Sequence, residues 1–121
     1  MILIVDDQKS MCWILSKILS EAGFLVETTQ TAEEALLIAA NNKIRAAIID
    51  YRLPDKNGFD LFLELKKCNP KILGVLISSY GSKELREKAT QLGFYAYFDK
   101  PFQNQAIVTA LQAGLEKTMG N

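Results

Sequence analysis

The sequence predicts an α/β fold of the (βα)5 kind, a doubly wound sheet of five parallel strands. Three observations predict it. Five short runs rich in β-branched, aromatic and other apolar residues alternate with five longer segments whose apolar residues recur at helical spacing. Strands joined through helices must run parallel, with right-handed crossovers and helices on both faces. Five chemically reactive residues, Asp6, Asp7, Asp50, Ser78 and Lys100, all fall where a strand run ends.

Each element has its own signal. Ile2–Val5 is apolar throughout and reads as a buried strand. Residues 9–22 follow, with Met11, Ile14, Leu15, Ile18, Leu19 and Ala22 as a helical stripe, and Gly23 as its terminator. Leu25–Thr29 is the second strand. Thr31-Ala32-Glu33-Glu34 reads as a capping box opening a helix with Ala32, Ala35, Leu36 and Ala39 on one face, closed by Asn41-Asn42. Ala46–Ile49 is a central strand. Pro54, Asn57 and Gly58 mark a loop, and a third helix covers roughly Phe59–Lys67 before Asn69-Pro70 stops it. Ile72–Ile77 is the fourth strand. Ser82 is placed to cap a short helix over 83–91, with only Leu85, Ala89 and Leu92 as its apolar stripe. That helix should be the least firmly anchored. Gly93 ends it, Tyr95–Phe98 is the fifth strand, and a last helix runs over 103–118 with Ile107, Leu111, Gly114 and Leu115 inward. The expected strand order is 2-1-3-4-5, the flavodoxin-like arrangement, whose switch point lies between strands one and three. Asp6, Asp7 and Asp50 belong to those two strands.

Composition narrows the function. The 121 residues make one domain, expected to span 1–121, with 14 basic and 14 acidic side chains and no net charge. Nothing in that balance favours direct nucleic-acid or membrane binding. No apolar run approaches the roughly 20 residues of a membrane span, and no secretory signal is expected, which makes cytoplasmic the default. Histidine is absent and the only cysteines are Cys12 and Cys68, outside any C-x-x-C. Structural zinc and histidine-based acid–base or nucleophilic catalysis are thereby excluded. Each cysteine is expected to be a buried or half-buried thiol.

What remains is carboxylate chemistry. Three carboxylates held together repel unless a cation intervenes. A hard divalent ion with oxygen ligands resolves this, and Mg²⁺ suits one or two carboxylates plus a phosphate oxygen. Lys100 adds a positive charge and Ser78 a hydroxyl. Together they make a cage for a transferring phosphoryl group, with one carboxylate able to act as nucleophile.

The motifs around these residues resemble the receiver domains of two-component response regulators over essentially the full length. Ile2-Leu3-Ile4-Val5-Asp6-Asp7 is similar to the family's acidic pair. Ile48-Ile49-Asp50-Tyr51-Arg52-Leu53-Pro54-Asp55-Lys56-Asn57-Gly58 is similar to its phosphoacceptor loop. Leu76-Ile77-Ser78-Ser79-Tyr80-Gly81 and Leu92 through Phe102 are similar to its hydroxyl and lysine motifs. The resemblance implies that Asp50 accepts the phosphoryl group. It implies that Asp7, Asp50 and the Arg52 backbone carbonyl ligate Mg²⁺, with Asp6 acting mainly through a metal-bound water. Lys100 would pair with the phosphoryl oxygens and Ser78 would move to bond them. Tyr97 would be the aromatic switch coupled to that movement, remodelling the face of helix four, strand five and helix five. Ser78 stands in place of the commoner threonine. Arg52 and Tyr80 occupy the positions where the family tunes hydrolysis of the aspartyl phosphate, and their bulk is expected to slow it.

The resemblance also implies partners: a sensor histidine kinase or histidine phosphotransfer protein upstream, and an effector protein or output domain downstream. Phosphorylation-dependent homodimerisation is left open. The domain would catalyse its own phosphorylation without being a turnover enzyme. With the last helix ending near Thr118, no output domain is expected within the sequence, which suits a stand-alone regulator or a receiver cut from a longer one. A haloacid-dehalogenase-type phosphatase would need an acid where Arg52 stands. A flavin-mononucleotide binder would need open backbone amides where Asp6-Asp7-Gln8-Lys9-Ser10 is acidic.

Overall fold

The computed structural model describes residues 1–119, the side chains of 118 and 119 aside. The expected domain end at 121 therefore lies outside the described residues. Strands β1 (Ile2–Val5), β2 (Val26–Thr29), β3 (Ala46–Asp50), β4 (Leu73–Ser78) and β5 (Ala96–Asp99) alternate with helices α1 (Lys9–Glu21), α2 (Ala32–Asn41), α3 (Gly58–Cys68), α4 (Lys83–Gln91) and α5 (Asn104–Met119). The sheet is wholly parallel in the order β2-β1-β3-β4-β5, as expected.

The period-two alternation of the strands sorts the core into two layers. Leu3, Val5, Ala47, Ile49 and Leu76 face α2, α3 and α4, where Phe62, Leu65 and Phe94 pack. Ile2, Ile4, Ile48, Val75 and Ile77 face the other way, onto Leu15 and Leu19 of α1 and Ile107, Val108 and Leu111 of α5. The three inner strands are buried on both faces, which explains their unbroken apolar runs.

Caps set most helix ends. Thr31, Asn57 and Ser82 each accept a backbone N–H from the first turn of α2, α3 and α4. Gly23 and Gly93 follow α1 and α4 with positive φ, the conformation glycine alone adopts freely. The amides of Asn41 and Asn42 return to the carbonyls of Leu37 and Ile38 and close α2.

Several expectations shift. On α1 the buried residues are Cys12, Leu15 and Leu19, whereas Ala22 lies beyond the helix as its exposed C-cap. On α5 Val108 joins the inward set. Cys12 is buried, but Cys68, the last residue of α3, is exposed. Helix α4 buries Ala89 alone and leaves Leu85 half-buried, consistent with its sparse apolar stripe.

Candidate functional site

The site forms where β1, β3, β4 and β5 end on one edge of the sheet. Asp50 and Ser78 are the last residues of β3 and β4 rather than the residues after them: the ladder continues through Asp50 opposite Ile77 and Ser78 opposite Asp99. Asp6 and Asp7 leave β1, with the Asp6 N–H still bonded to the Thr29 carbonyl at 3.1 Å. Lys100 follows β5. Its N–H donates to the Ser78 carbonyl at 2.8 Å, and the peptide to Pro101 is cis.

These placements bring Asp6, Asp7 and Asp50 together, with a carboxylate oxygen of each within 4.8 Å of the others. The Lys100 ammonium reaches into the group. It donates to Asp6 at 2.8 Å, to Asp50 at 3.2 Å and to the Gln8 side-chain oxygen at 3.2 Å. Asp6 is fully buried and Asp50 is 7% exposed, while Asp7 is open to solvent. Three carboxylates against one ammonium leave two formal negative charges, which a divalent cation matches. The donor set is all oxygen, and it fits Mg²⁺.

The electrostatics carry the same message. Burial, and then the Asp6 charge, push the Asp50 carboxyl up to about 6, with Lys100 opposing. Burial works against the Lys100 ammonium. Its hydrogen bond to Asp6 and the charges of Asp6 and Asp50 outweigh burial, and its pKa rises. The lysine is thus held as a charged ammonium between Asp6 and Asp50.

A cleft of about 170 Å³ opens onto Asp7, Asp50 and Lys100, walled by Gln8, Arg52, Ser79 and Tyr80. The Arg52 N–H lies 3.4 Å from Asp50, a long and weak contact. The Arg52 guanidinium turns over the Tyr80 ring, 4.3 Å from its centroid. Ser78 is buried, and its hydroxyl accepts the Tyr80 N–H at 3.0 Å. Tyr97 stands apart from the carboxylates: its hydroxyl donates to Asp99 at 2.7 Å. Cys12, buried beneath Asp6, donates to the Asp6 carbonyl at 3.2 Å and serves packing. Burial raises its thiol pKa, which keeps it inert.

Sequence reasoning missed Gln8, Asp55 and Asp99. Gln8 holds Lys100, and its own N–H donates to Asp6 at 2.9 Å. Asp55 reaches out of the β3–α3 loop to accept the N–H groups of Ala32 and Glu33, each at 2.9 Å. Only the position of Gln8 directly after an acidic pair could have drawn notice. The roles of Asp55 and Asp99 depend on tertiary neighbours.

Comparison with known proteins agrees with this geometry. The family model for the response regulator receiver domain matches residues 2–112. The transcriptional regulatory protein GlrR of Escherichia coli K12 is 28% identical over 117 residues, which is 97% of this chain but 26% of GlrR. A CheY-like receiver domain from Methanospirillum hungatei superposes with a TM-score of 0.92 at 28% identity, covering 98% of this chain and 95% of that one. The beryllofluoride-activated NtrC4 receiver domain, solved as a dimer, gives 0.91 at 28% identity and covers 96% of each chain. Among the described residues no helix is long and apolar enough to cross a membrane. With a five-stranded 2-1-3-4-5 sheet, an acidic cluster at its edge and a family match over nearly its whole length, this chain belongs to the response regulator receiver domains of two-component systems.

Proposed function

We propose that this domain is a phosphorylation-activated switch in which Asp50 takes a phosphoryl group from a sensor histidine kinase or histidine phosphotransfer protein. The observation that carries the proposal is the shared lysine: one ammonium bridges Asp50 and Asp6 inside a cluster two negative charges in excess. An Asp50 oxygen attacks phosphorus, the N–P bond of the donor phosphohistidine breaks, and the departing imidazole takes a proton from solvent. Mg²⁺, held by Asp7, Asp50 and the Arg52 carbonyl with Asp6 in its outer shell, would neutralise the phosphoryl oxygens. Lys100 is already within hydrogen-bond reach of Asp50 and needs only a small shift to follow the new oxygens. Ser78 supplies a hydroxyl donor next to them.

The phosphoryl group adds charge and acceptor oxygens beside Ser78, and only four residues separate Ser78 from α4. A helix with a single buried residue is suited to two arrangements. The α4-β5-α5 face, with Tyr97 on it, then meets an effector or output domain, or a second copy of this chain. The domain acts once per phosphoryl group and releases no metabolite.

The test is intact-mass measurement after incubation with Mg²⁺ and acetyl phosphate, with beryllofluoride binding as a second assay. One adduct is expected on the wild type and none on Asp50→Asn. An adduct that survives Asp50→Asn removes the assignment of the acceptor. Absence of any adduct on the wild type, under conditions that label a known receiver, removes the function.

A further inference from the structure

Tyr97 is held by a network of its own, outside the carboxylate cluster. Asp99 accepts the Tyr97 hydroxyl at 2.7 Å on one oxygen and the Arg86 guanidinium at 2.9 Å on the other. Arg86 belongs to α4, and its guanidinium also lies over the Tyr97 ring, 5.2 Å from the centroid. One carboxylate therefore ties β5 to the helix that is least buried in the fold. Gly81, in the β4–α4 loop, presses against the same carboxylate. A Cβ there would land inside the Asp99 oxygen and come within 2.5 Å of the Tyr97 hydroxyl, so only glycine leaves room for the arrangement.

We propose that Asp99 is a positioning residue that, with Arg86 and Gly81, latches Tyr97 and α4 in the resting arrangement and so opposes activation. The idea rests on the phosphorylation switch described above. Its direction follows from the geometry. The Ser78 hydroxyl accepts the Tyr80 N–H in the β4–α4 loop, and Asp50 is held by Lys100. For Ser78 to bond a phosphoryl oxygen on Asp50, that loop must leave its present arrangement. Gly81 of the same loop is packed against Asp99 and Tyr97. While Asp99 holds Tyr97 and Arg86, the loop and α4 stay where they are. Removing the latch therefore favours the phosphorylated arrangement by whatever the latch contributed to the resting one.

The test measures beryllofluoride affinity at saturating Mg²⁺ by titration calorimetry, with Mg²⁺ affinity and thermal midpoint recorded alongside. Asp99→Ala and Gly81→Ala reach the same unlatched state by different routes, one removing the acceptor and the other displacing it. Both are expected to bind beryllofluoride roughly threefold to tenfold more tightly than wild type, the size of a partly exposed ion pair plus one hydrogen bond. Their Mg²⁺ affinity should not change. Arg86→Ala should show a smaller gain, and Asp99→Asn, which keeps an acceptor for Tyr97, should fall between. A carboxylate that merely braces the surface would lower the thermal midpoint of Asp99→Ala and leave beryllofluoride affinity alone. Unchanged or weaker beryllofluoride binding in Asp99→Ala overturns the latch. Failure of the wild type to bind beryllofluoride at all is a different result and counts against the switch, not the latch.

Discussion

Arg52 and Tyr80 show how much a pair of surface side chains can decide. They approach from different loops, two residues beyond Asp50 and two beyond Ser78, and stack 4.3 Å apart at the wall of the cleft that opens onto Asp50. Neither is buried, so the stack contributes little to stability, on the order of 0.5–1 kcal/mol for an exposed cation–π pair. Its effect is steric. Hydrolysis of an aspartyl phosphate needs a water in line with the bond that breaks, and both side chains line the cleft that opens onto Asp50, so their bulk is expected to hinder that water. The double variant Arg52→Ala, Tyr80→Ala should lose its phosphoryl group several-fold faster than wild type, with each single variant in between. Following the decay of the phosphorylated form by mass after donor removal checks this. A wild type that decays faster than the double variant refutes it.

At the scale of elements, the β3–α3 loop after Asp50 is braced against a helix to which it is not adjacent in sequence. Both Asp55 oxygens accept amides of the first turn of α2, and the Ala32 hydrogen bond leads the effects that hold the carboxyl below its usual pKa. The opposite end of the loop is pinned by the Gly58 N–H on the Tyr51 carbonyl at 2.7 Å and by the bridge between Arg52 and Asn57. Gly58 must lack a side chain, because a Cβ would stand 2.8 Å from the Asp50 carbonyl. The loop that would offer the Arg52 carbonyl to a metal is thus tied at its base and its tip. Asp55→Ala should lower the thermal midpoint by the equivalent of about 1 kcal/mol, the usual effect of losing a helix cap. It should also speed hydrogen exchange at the Ala32 and Glu33 amides, and Asp55→Asn should recover part of both. Because the folded pKa is depressed, this tie is present above the ordinary carboxyl range and lost as pH falls through the lowered value. Exchange at Ala32 and Glu33 that is the same in wild type and Asp55→Ala would show that the cap carries no load.

For the molecule as a whole, the parts legible in the sequence were those fixed locally. The order of strands and helices, the caps at Thr31 and Ser82 and the glycines after α1 and α4 are short-range features, and they fall where expected. The carboxylates, Ser78 and Lys100 were legible because topology alone brings strand ends to one edge. Strand limits at Asp50 and Ser78 were not, since pairing with Ile77 and Asp99 extends the ladder past the apolar run. Asp55, Asp99 and the exposed Cys68 were hidden because their surroundings come from distant segments. The site's charge also bears on global stability, which yields a prediction with a definite sign. In metal-free protein Asp50 has its pKa raised to about 6 in the folded state, above its unfolded value, chiefly by burial. The folded state therefore holds this proton more tightly. The contribution is fully present below the unfolded pKa and is lost as pH rises through the folded one, a swing of roughly 2–3 kcal/mol. Asp50→Asn does not titrate there. Its stability advantage over wild type in urea unfolding should grow from near pH 4 to pH 7 and then level. Asp55, whose pKa is lowered, has the opposite slope, and the difference between the two proteins cancels it. Adding Mg²⁺ should stabilise the wild type mainly above pH 6 and narrow the gap, because a cation at Asp6, Asp7 and Asp50 removes the reason for Asp50 to keep its proton. A gap that is flat with pH, or that Mg²⁺ leaves untouched, would contradict the reading of these three carboxylates as one cation site.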